Sequence, residues 1–499
     1  MKKNLFPIAL IILFVFGTYT LYGQEKQSVE ELKAKIDTYL NNSVANGYSA
    51  SVLVAKKGDV ILSKGYGWSD RKKKIVNTSS SIFNIGSVTK QFTAAAILKL
   101  VEQGKLNTSD KIGLFYNEAP IDKKDITIHQ LLTHTTGVSP RTGGFRYDEA
   151  SKEQFLKEFF EAELQSTLGT NHQYANANYI MLAAIIELVS KQDYTTFLKE
   201  NFWDPLSMNK TGYKSISFNS EQLSHGYYFN YTDGVWMDWG ITQEHLPYNN
   251  NHWYSIGKGD IYSTTEDLYK WHLALQHNKV LSNKSLKMIE TPHVVENDEG
   301  SSHYGYGWAI FKSKNGTKIV THNGSNGIYF ANFIRYVEDD LVVIVLSNTI
   351  LNRDSEDVSW NIGNMVFDSN FTPKPVTKLS YELVYDFIST HDTDKASKLV
   401  SFLDENLGSK FNDKAVFNRI GFKRIAKEGN PAWGLELLKL NVELFPNDGN
   451  LYDSLGDAYF EYNQKENAIK AFSKALELKS ENNCNWCKNS QERIESLKN

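Results

Sequence analysis

Ser87 and Lys90 are the pair whose residue types and spacing offer chemistry most directly. They are three residues apart where a polar loop leads into a helix, so both side chains lie on one helix face. A desolvated lysine amine within hydrogen-bonding distance can act as the base that a serine nucleophile needs. The helix N-terminus would favour negative charge beside Ser87. A lone match of this kind also fits a capping serine followed by a solvated lysine.

Tyr174 and Asn176 form a second polar stretch, just before an apolar helix predicted from Ile180 to Val189. Because they are two residues apart in an extended segment, both side chains can face one cleft. A lysine ammonium nearby would lower the pKa of the Tyr174 phenol and let it move protons. The Asn176 amide offers a donor and an acceptor to an amide-like substrate. The alternative is an ordinary Tyr-Asn loop that caps a helix.

A third stretch leads from a predicted strand through His322 to Gly324 and Ser325. Glycine lets a ligand approach the backbone closely, and the Ser325 N–H is then free to point at it. His134, in another polar turn, is interpreted as a structural histidine because no partner motif adjoins it. The sequence has no His-Glu-x-x-His motif, so a zinc hydrolase mechanism is disfavoured and we expect neither a metal nor an organic cofactor.

Taken together, the three stretches resemble the serine β-lactamase and penicillin-binding-protein superfamily, on its class C and D-Ala-D-Ala carboxypeptidase/esterase side. The matching pieces are Ser87-Val88-Thr89-Lys90, Tyr174-Ala175-Asn176 and His322-Asn323-Gly324. Residues 131–137 and 257–264 add supporting similarity, and the resemblance covers roughly residues 28–365. The joint match, in the right order and at wide separations, carries the specificity that each short motif lacks.

The resemblance implies a role for each matching residue. Ser87 would attack a carbonyl and become acylated, and Lys90 and Tyr174 would share the proton transfers. Asn176 would hold the substrate amide or its equivalent. The backbone N–H groups of Ser87 and Ser325 would form an oxyanion hole, in which one donor is worth about 3 kcal/mol of barrier. Water would then release the acyl group.

His322 departs from the β-lactamase pattern, because class C enzymes have Lys-Thr-Gly where this chain has His322-Asn323-Gly324. A histidine is only partly charged near neutral pH. In this respect the chain is similar to the esterase, D-aminopeptidase and β-lactamase-like branches. The histidine puts in question both the hydrolysis of β-lactam antibiotics and a need for a carboxylate on the substrate.

The elements that must position these residues indicate an α+β fold. Residues 28–45 form a predicted amphipathic helix with a capping box, and residues 49–66 a hairpin. The His322 strand and two further strands, Asn332 to Val337 and Leu341 to Ser347, complete about five antiparallel strands. Helices, including a helical insert, lie between the two groups of strands. The aromatic-rich residues 225–256 either wall a pocket or form a plain packed subdomain.

Composition and the first residues limit the class of protein. The 499 residues are 41% hydrophobic with a net charge of −4, so a large core is expected and a nucleic-acid partner is not. Lys2 and Lys3 precede an apolar run from Leu5 to Phe16, which is typical of an export signal cleaved after Gly23. The alternative, an uncleaved anchor, is disfavoured because a spanning helix needs roughly 20 apolar residues. A periplasmic or secreted location follows.

The domain organisation predicted from the sequence has four parts. They are a signal peptide at 1–23, a β-lactamase-like domain at 24–365, a linker at 366–380 and tetratricopeptide-like helical repeats at 381–499. The repeats would form either a docking groove for a protein partner or a helical cap over the catalytic domain. Cys484 and Cys487 allow a local disulfide after export, while a redox or metal site is less well supported.

The sequence therefore predicts an exported serine hydrolase of carboxypeptidase, aminopeptidase or esterase type. It would act through an acyl-enzyme on a small ester, amide or peptide, with no stable membrane span after signal cleavage. A second hypothesis is a non-catalytic penicillin-binding-like sensor that signals through its helical repeats. A third is a scaffold in which the repeats supply the main activity.

Overall fold

The computed structural model describes residues 28–213, 220–247, 252–349, 354–374, 376–426, 431–479 and 484–498. The predicted signal peptide at 1–23 lies outside the described residues. Among the helices that are described, none is long and apolar enough to cross a membrane.

Helices occupy most of the chain outside one central sheet. Up to the last strand of that sheet they are α1 (Val29–Val44), α2 (Lys90–Glu102), α3 (Ile112–Phe115), α4 (Ile128–Leu132), α5 (Lys152–Glu161), α6 (Asn176–Ser190), α7 (Tyr194–Leu198), α8 (Thr242–His245), α9 (Thr265–Gln276) and α10 (Asn283–Ile289). After it they are α11 (Asp354–Phe367), α12 (Ser380–Thr390), α13 (Leu399–Leu407), α14 (Lys414–Ala426), α15 (Pro431–Leu444), α16 (Gly449–Glu461), α17 (Lys465–Glu477) and α18 (Cys487–Lys498). Short 3-10 turns lie at Gly86–Thr89, Ser220–Gln222 and Thr393–Lys398, and a π turn at Lys199–Trp203.

The described strands build one large antiparallel sheet and three small pairs. The large sheet contains β1 (Ala50–Lys56), β2 (Asp59–Tyr66), β3 (Val294–Val295), β4 (Ser302–Tyr304), β5 (Ala309–Lys312), β6 (Lys318–Ser325), β7 (Phe330–Tyr336) and β8 (Leu341–Ser347), in the order β2-β1-β8-β7-β6-β5-β4-β3. The pairs join Trp68–Asp70 to Ile75–Val76, Phe83–Asn84 to Tyr262–Ser263, and Gly226–Asn230 to Val235–Gly240.

The predicted α+β fold is confirmed, and the five predicted strands are the five long ones, β1, β2, β6, β7 and β8. Strands β3, β4 and β5 were not predicted, because stretches of two to four residues are too short to show an alternating pattern. The first hairpin and the last strand pair side by side, with Val52 opposite Val345. The two ends of the domain therefore close one sheet around the helical insert.

Successive side chains of β8 pack into different cores, so the sheet is covered on both faces. Leu341, Val343 and Val345 pack into a core with the C-terminal helices, and the residues between them pack into a core with α2 and α6. Every residue of β8 is buried as a result. A strand buried on both faces needs a continuous apolar sequence, and the run from Leu341 to Leu346 provides it.

The capping box predicted for the first helix is present. The Ser28 side chain accepts a hydrogen bond from the backbone N–H of Glu31, and the Glu31 carboxylate accepts one from the backbone N–H of Ser28.

Helix α2 is buried from Lys90 to Leu98. Its run of alanines lets neighbouring elements approach from several sides, as the sequence indicated.

The C-terminal region is all-helical, and α12 to α15 share the outer core of the sheet with α1 and α11. Helix α14 packs on α15, and α16 on α17. A Cβ on Gly456 would lie 2.6 Å from the Phe472 ring, so these helices touch where the residue is small. The assignment of these helices to tetratricopeptide repeats stays a prediction. Cys484 and Cys487 form a disulfide, the first of the alternatives that the sequence left open.

Candidate active site

Ser87 lies in the 3-10 turn that leads directly into α2, and its Oγ is 3.1 Å from Lys90 Nζ. Lys90 Nζ also donates to Asn176 Oδ1 at 2.9 Å and to the backbone carbonyl of Lys258 at 2.7 Å. A neutral amine has two N–H bonds and one lone pair. Because the two carbonyl oxygens can only accept hydrogen bonds, each of them is paired with one N–H, and the lone pair is left for the Ser87 hydroxyl proton.

Burial and nearby positive charges favour that neutral form of Lys90. Its side chain is fully buried. Burial lowers the pKa of Lys90 well below its usual value, the positive charges of Lys258 and Arg146 lower it further, and Asp260 opposes them. A lysine in this state can accept a proton near neutral pH, which an exposed lysine cannot.

Three charged residues near Lys90, namely Asp260, Arg146 and Lys258, were not assigned a role from the sequence. Asp260 is buried, accepts a hydrogen bond from Asn84 Nδ2 at 2.8 Å, and lies 3.5 Å from Arg146 Nη1. Burial alone would raise the pKa of Asp260, but Arg146 and Lys258 hold it below its usual value. Burial also lowers the pKa of Lys258 to about 8. Lys258 and Asp260 stood in a recognised stretch, whereas no motif pointed to Arg146.

Tyr174 lines the same cavity as Ser87, and the Ser87 side chain is among the groups that lower the pKa of its phenol. Lys90 Nζ lies 4.8 Å from the centre of the Tyr174 ring. The predicted lowering of the phenol pKa is wrong. Burial raises the pKa of Tyr174, and the interaction with Ser87 offsets only part of that rise. A buried neutral lysine supplies no ammonium charge to stabilise a phenolate, so Tyr174 remains a neutral phenol that can donate and accept.

His134 holds the Tyr174 segment in place, in agreement with its interpretation as a structural histidine. Its Nδ1 accepts from the backbone N–H of Ala175 at 3.2 Å, and its carbonyl accepts from the backbone N–H of Gln173 at 2.8 Å. Its ring lies 4.3 Å from the Tyr174 ring, centre to centre. These contacts fix the backbone that places Tyr174 and Asn176 beside Lys90.

His322 lies in the cleft but carries no charge near neutral pH. Burial lowers the pKa of His322 to about 3, with a smaller contribution from Lys90. Nδ1 hydrogen-bonds the carbonyl of Asn323, so it carries the proton, and Nε2 accepts from the Tyr304 hydroxyl at 3.0 Å. The expectation of a partly charged histidine is therefore wrong. A neutral imidazole tied to Tyr304 shapes the pocket and offers no cation to a substrate carboxylate.

Gly324 and Ser325 bring the end of β6 against the Ser87 turn. A Cβ on Gly324 would lie 2.2 Å from the carbonyl oxygen of Ile85 and 2.6 Å from the backbone nitrogen of Ser87. A Cβ on Gly86 would lie 2.5 Å from the backbone nitrogen of Ser325. Only glycine fits at either position, and this contact brings the Ser87 and Ser325 amides together as the oxyanion-hole prediction requires.

A cavity of about 490 Å³ opens at Ser87. Its walls are Ser87, Tyr174, Glu296, Tyr304, Ala309, Phe311, Thr321, His322, Asn323, Gly324, Ser325, Asn332, Glu356 and Trp360. The described residues of the aromatic stretch 225–256 are absent from these walls. Trp236 instead donates to Glu382 of α12 at 3.1 Å, which agrees with the packed-subdomain interpretation.

The sheet with its helical insert and the convergence of the three motifs define a β-lactamase/transpeptidase-type fold with a serine–lysine–tyrosine site. The Beta-lactamase family model matches residues 36–362, more than half of the chain. The protein therefore belongs to the β-lactamase family, on the side of the penicillin-binding-protein homologues.

Known relatives agree with this assignment. The chain is 29% identical over 311 residues to "Penicillin-binding protein 4*" of Bacillus subtilis (strain 168), covering 60% of this chain and 68% of the relative. The octameric penicillin-binding protein homologue from Pyrococcus abyssi matches with a TM-score of 0.58 and 25% identity, over 67% of this chain and 77% of that one. The D-amino acid amidase from Ochrobactrum anthropi SV3 shares the fold, with a TM-score of 0.59, 19% identity, and coverage of 68% and 100%.

Proposed function

We propose that this protein is an exported serine hydrolase that acts through an acyl-enzyme on a small ester, amide or peptide. One observation carries the proposal: a fully buried lysine amine lies 3.1 Å from the Ser87 hydroxyl, with its two N–H bonds directed at carbonyl oxygens. That arrangement costs desolvation energy and has a chemical use only if the lone pair takes the serine proton.

In the proposed reaction, Ser87 Oγ attacks the substrate carbonyl carbon while Lys90 takes the hydroxyl proton. The oxyanion of the tetrahedral intermediate accepts from the N–H groups of Ser87 and Ser325. When the intermediate collapses, the proton passes from Lys90 through Tyr174 to the departing alcohol or amine. Water then attacks the acyl-enzyme, gives up its proton along the same route, and releases the acid while Ser87 regains its proton.

Family membership supports hydrolysis. The apolar run from Leu5 to Phe16 supports export by a cleaved signal. The neutral state of His322 supports a substrate that needs no carboxylate, which favours esters and amides over β-lactam antibiotics.

The test is turnover of p-nitrophenyl esters, D-amino-acid amides and β-lactams by the wild type and by Ser87→Ala. We expect hydrolysis of at least one ester or amide, reduced about a thousandfold or more by Ser87→Ala. Ser63→Ala, an exposed serine on β2, is the matched control and keeps wild-type rates. Mass spectrometry after brief exposure to substrate should find the acyl group on the Ser87 peptide. Equal rates in Ser87→Ala and wild type would rule the proposal out.

The sensor remains the second candidate, because α12 to α15 share one core with the sheet that carries the cleft. A conformational change in the cleft could then be transmitted to the helical region through this shared core. Stoichiometric labelling of Ser87 by a fluorophosphonate or penicillin probe, without turnover of any substrate in the screen, would favour the sensor over the enzyme.

A further inference from the structure

The charged side chains that line the cavity at Ser87 are acidic. Its walls include two carboxylates, Glu296 and Glu356, and no lysine or arginine. Glu296 follows β3, and Glu356 lies in the first turn of α11, so they come from separate parts of the chain. His322, the histidine in the wall, is neutral for the reasons given above.

Neither carboxylate is neutralised by an ion pair in the described structure. Glu296 accepts from the Ser302 hydroxyl at 2.6 Å, and Glu356 accepts from Asn323 Nδ2 at 3.3 Å. Hydrogen bonds of this kind hold the carboxylates in position and bring no positive charge to them. Burial raises the pKa of Glu296, and the Ser302 hydrogen bond and the charge of His303 offset only part of that rise.

The remaining wall of the cavity supplies aromatic rings. Trp360 and Phe311 line the same space, with ring centres 5.7 Å apart, and Tyr304 and Tyr174 face it from the catalytic side. Ring faces attract cations, and Trp attracts them most strongly. Rings and carboxylates around one space are a combination suited to an ammonium group.

We propose that the substrate carries a positively charged amino group, which binds between Glu296, Glu356 and the Trp360 ring while Ser87 attacks its carbonyl. This inference rests on the proposed function and adds the chemical class of the substrate. The cavity volume of about 490 Å³ is enough for a short ammonium-bearing chain next to the reacting carbonyl.

The first test compares matched esters on each side of the scissile bond. On the acyl side, p-nitrophenyl 6-aminohexanoate is compared with the isosteric heptanoate and with the pimelate monoester, which ends in a carboxylate. On the alcohol side, butyrylcholine is compared with its neutral isostere 3,3-dimethylbutyl butyrate. We expect kcat/KM to be at least about tenfold higher for the cationic member of one series, and lowest for the anionic ester. Ratios near one in both series would overturn the inference.

The second test assigns the preference to the carboxylates. In the double variant Glu296→Gln/Glu356→Gln, the cationic-to-neutral ratio of kcat/KM should fall toward one. The matched controls are Glu299→Gln and Asp357→Asn, exposed acids next to the same two elements, and they should keep the wild-type ratio. A wild-type preference that survives in the double variant would contradict the assignment.

A binding measurement separates this inference from the proposed function. Ligand-observed NMR titration of Ser87→Ala with 6-aminohexanamide and heptanamide needs no turnover. Tighter binding of the amine, lost when the two glutamates are also replaced, would support the cation site even if no ester is hydrolysed. Ser87-dependent hydrolysis of neutral esters, with equal binding of the two amides, would leave the hydrolase in place and reject the cation site.

Discussion

At the scale of single residues, the site depends on the charge states of Lys90 and its neighbours. The sequence placed Lys90 beside Ser87 but did not identify the charged groups that set the pKa of Lys90. The structure adds Lys258 and Arg146, whose charges lower the pKa of Lys90, and Asp260, whose charge raises it. The base is therefore tuned by residues outside the Ser-x-x-Lys motif.

Lys258→Gln should move the acidic limb of the pH–kcat/KM profile to higher pH. Below pH 8 Lys258 is charged and lowers the pKa of Lys90, so removing that charge raises the pH at which Lys90 loses its proton. We expect a shift of up to about one pH unit, equivalent to about 1.4 kcal/mol. Lys279→Gln, an exposed lysine after α9, is the control. A limb that stays in place would show that Lys258 does not act on Lys90.

His322 should couple the stability of the fold to pH. Its pKa is about 3 in the folded state and about 6.5 when unfolded, so below pH 6.5 the unfolded state binds more protons. This contribution to stability is complete above pH 6.5 and is lost as the pH falls toward 3, at up to about 1.4 kcal/mol per pH unit. Urea unfolding of wild type and His322→Gln at pH 7, 5.5 and 4 measures it.

We expect His322→Gln to flatten the fall in the free energy of unfolding between pH 6.5 and 4. The buried His272, with a pKa lowered to about 3, and His134 contribute slopes of the same sign that remain in this variant. His277→Gln, an exposed histidine, is the control and should keep the wild-type slope. An unchanged slope in His322→Gln would mean that the imidazole is solvated and charged in the folded protein.

At the scale of elements, the sequence predicted the long strands and the three motif-bearing segments, because each shows its own period or spacing. It did not predict β3, β4 and β5, because these strands are held by pairing and not by a local pattern: β5 pairs with β6, β4 with β5, and β3 with β4. Glu296 and Glu356 reach the cleft through β3 and α11, and Arg146 reaches Asp260 from a loop, so only tertiary contacts bring these groups to the site. The charge states of Tyr174 and His322 were mispredicted because burial outweighs residue type, and burial cannot be read from a motif.

Substitution of Gly324 tests whether the close contact between β6 and the Ser87 turn is needed for activity. In Gly324→Ala, the new Cβ would meet backbone atoms of Ile85 and Ser87, which cannot move as a flexible side chain would. We expect esterase activity to fall at least about a hundredfold, as for loss of an oxyanion-hole donor. Circular dichroism and thermal unfolding report whether the fold survives.

Gly316→Ala is the comparison for that variant. Its Cβ would meet no atom within 4 Å, so the only cost is the positive φ of 82°, about 1 kcal/mol of stability. Activity should remain at the wild-type level. If Gly324→Ala were as active as Gly316→Ala, the Ser87 and Ser325 amides could separate without loss, and the oxyanion-hole assignment would be wrong.

At the scale of the whole molecule, the helical region divides into two parts. Helices α12 to α15 bury residues such as Leu383, Phe387 and Trp433 in the core that covers the outer face of the sheet. Helices α16 and α17 pack with α15 in a separate apolar cluster that contains Leu451 and Leu455. The first part therefore acts as the helical cap that the sequence allowed, and only the second is available as an independent docking unit.

Two truncations distinguish these parts. Deleting residues 449–499 removes α16 to α18 and should leave ester turnover within about twofold of the full chain, because the outer core of the sheet stays covered. Deleting residues 380–499 would expose that core, in which Val384 and Phe387 lie together with residues of α1 and α11. It should abolish soluble expression or lower Tm by more than 10 °C, about 2 kcal/mol or more. Soluble yield, Tm and p-nitrophenyl ester turnover measure the difference. A stable and active 380–499 deletion would show that the catalytic domain folds without its helical cap, and would return the whole helical region to the docking or scaffold hypotheses.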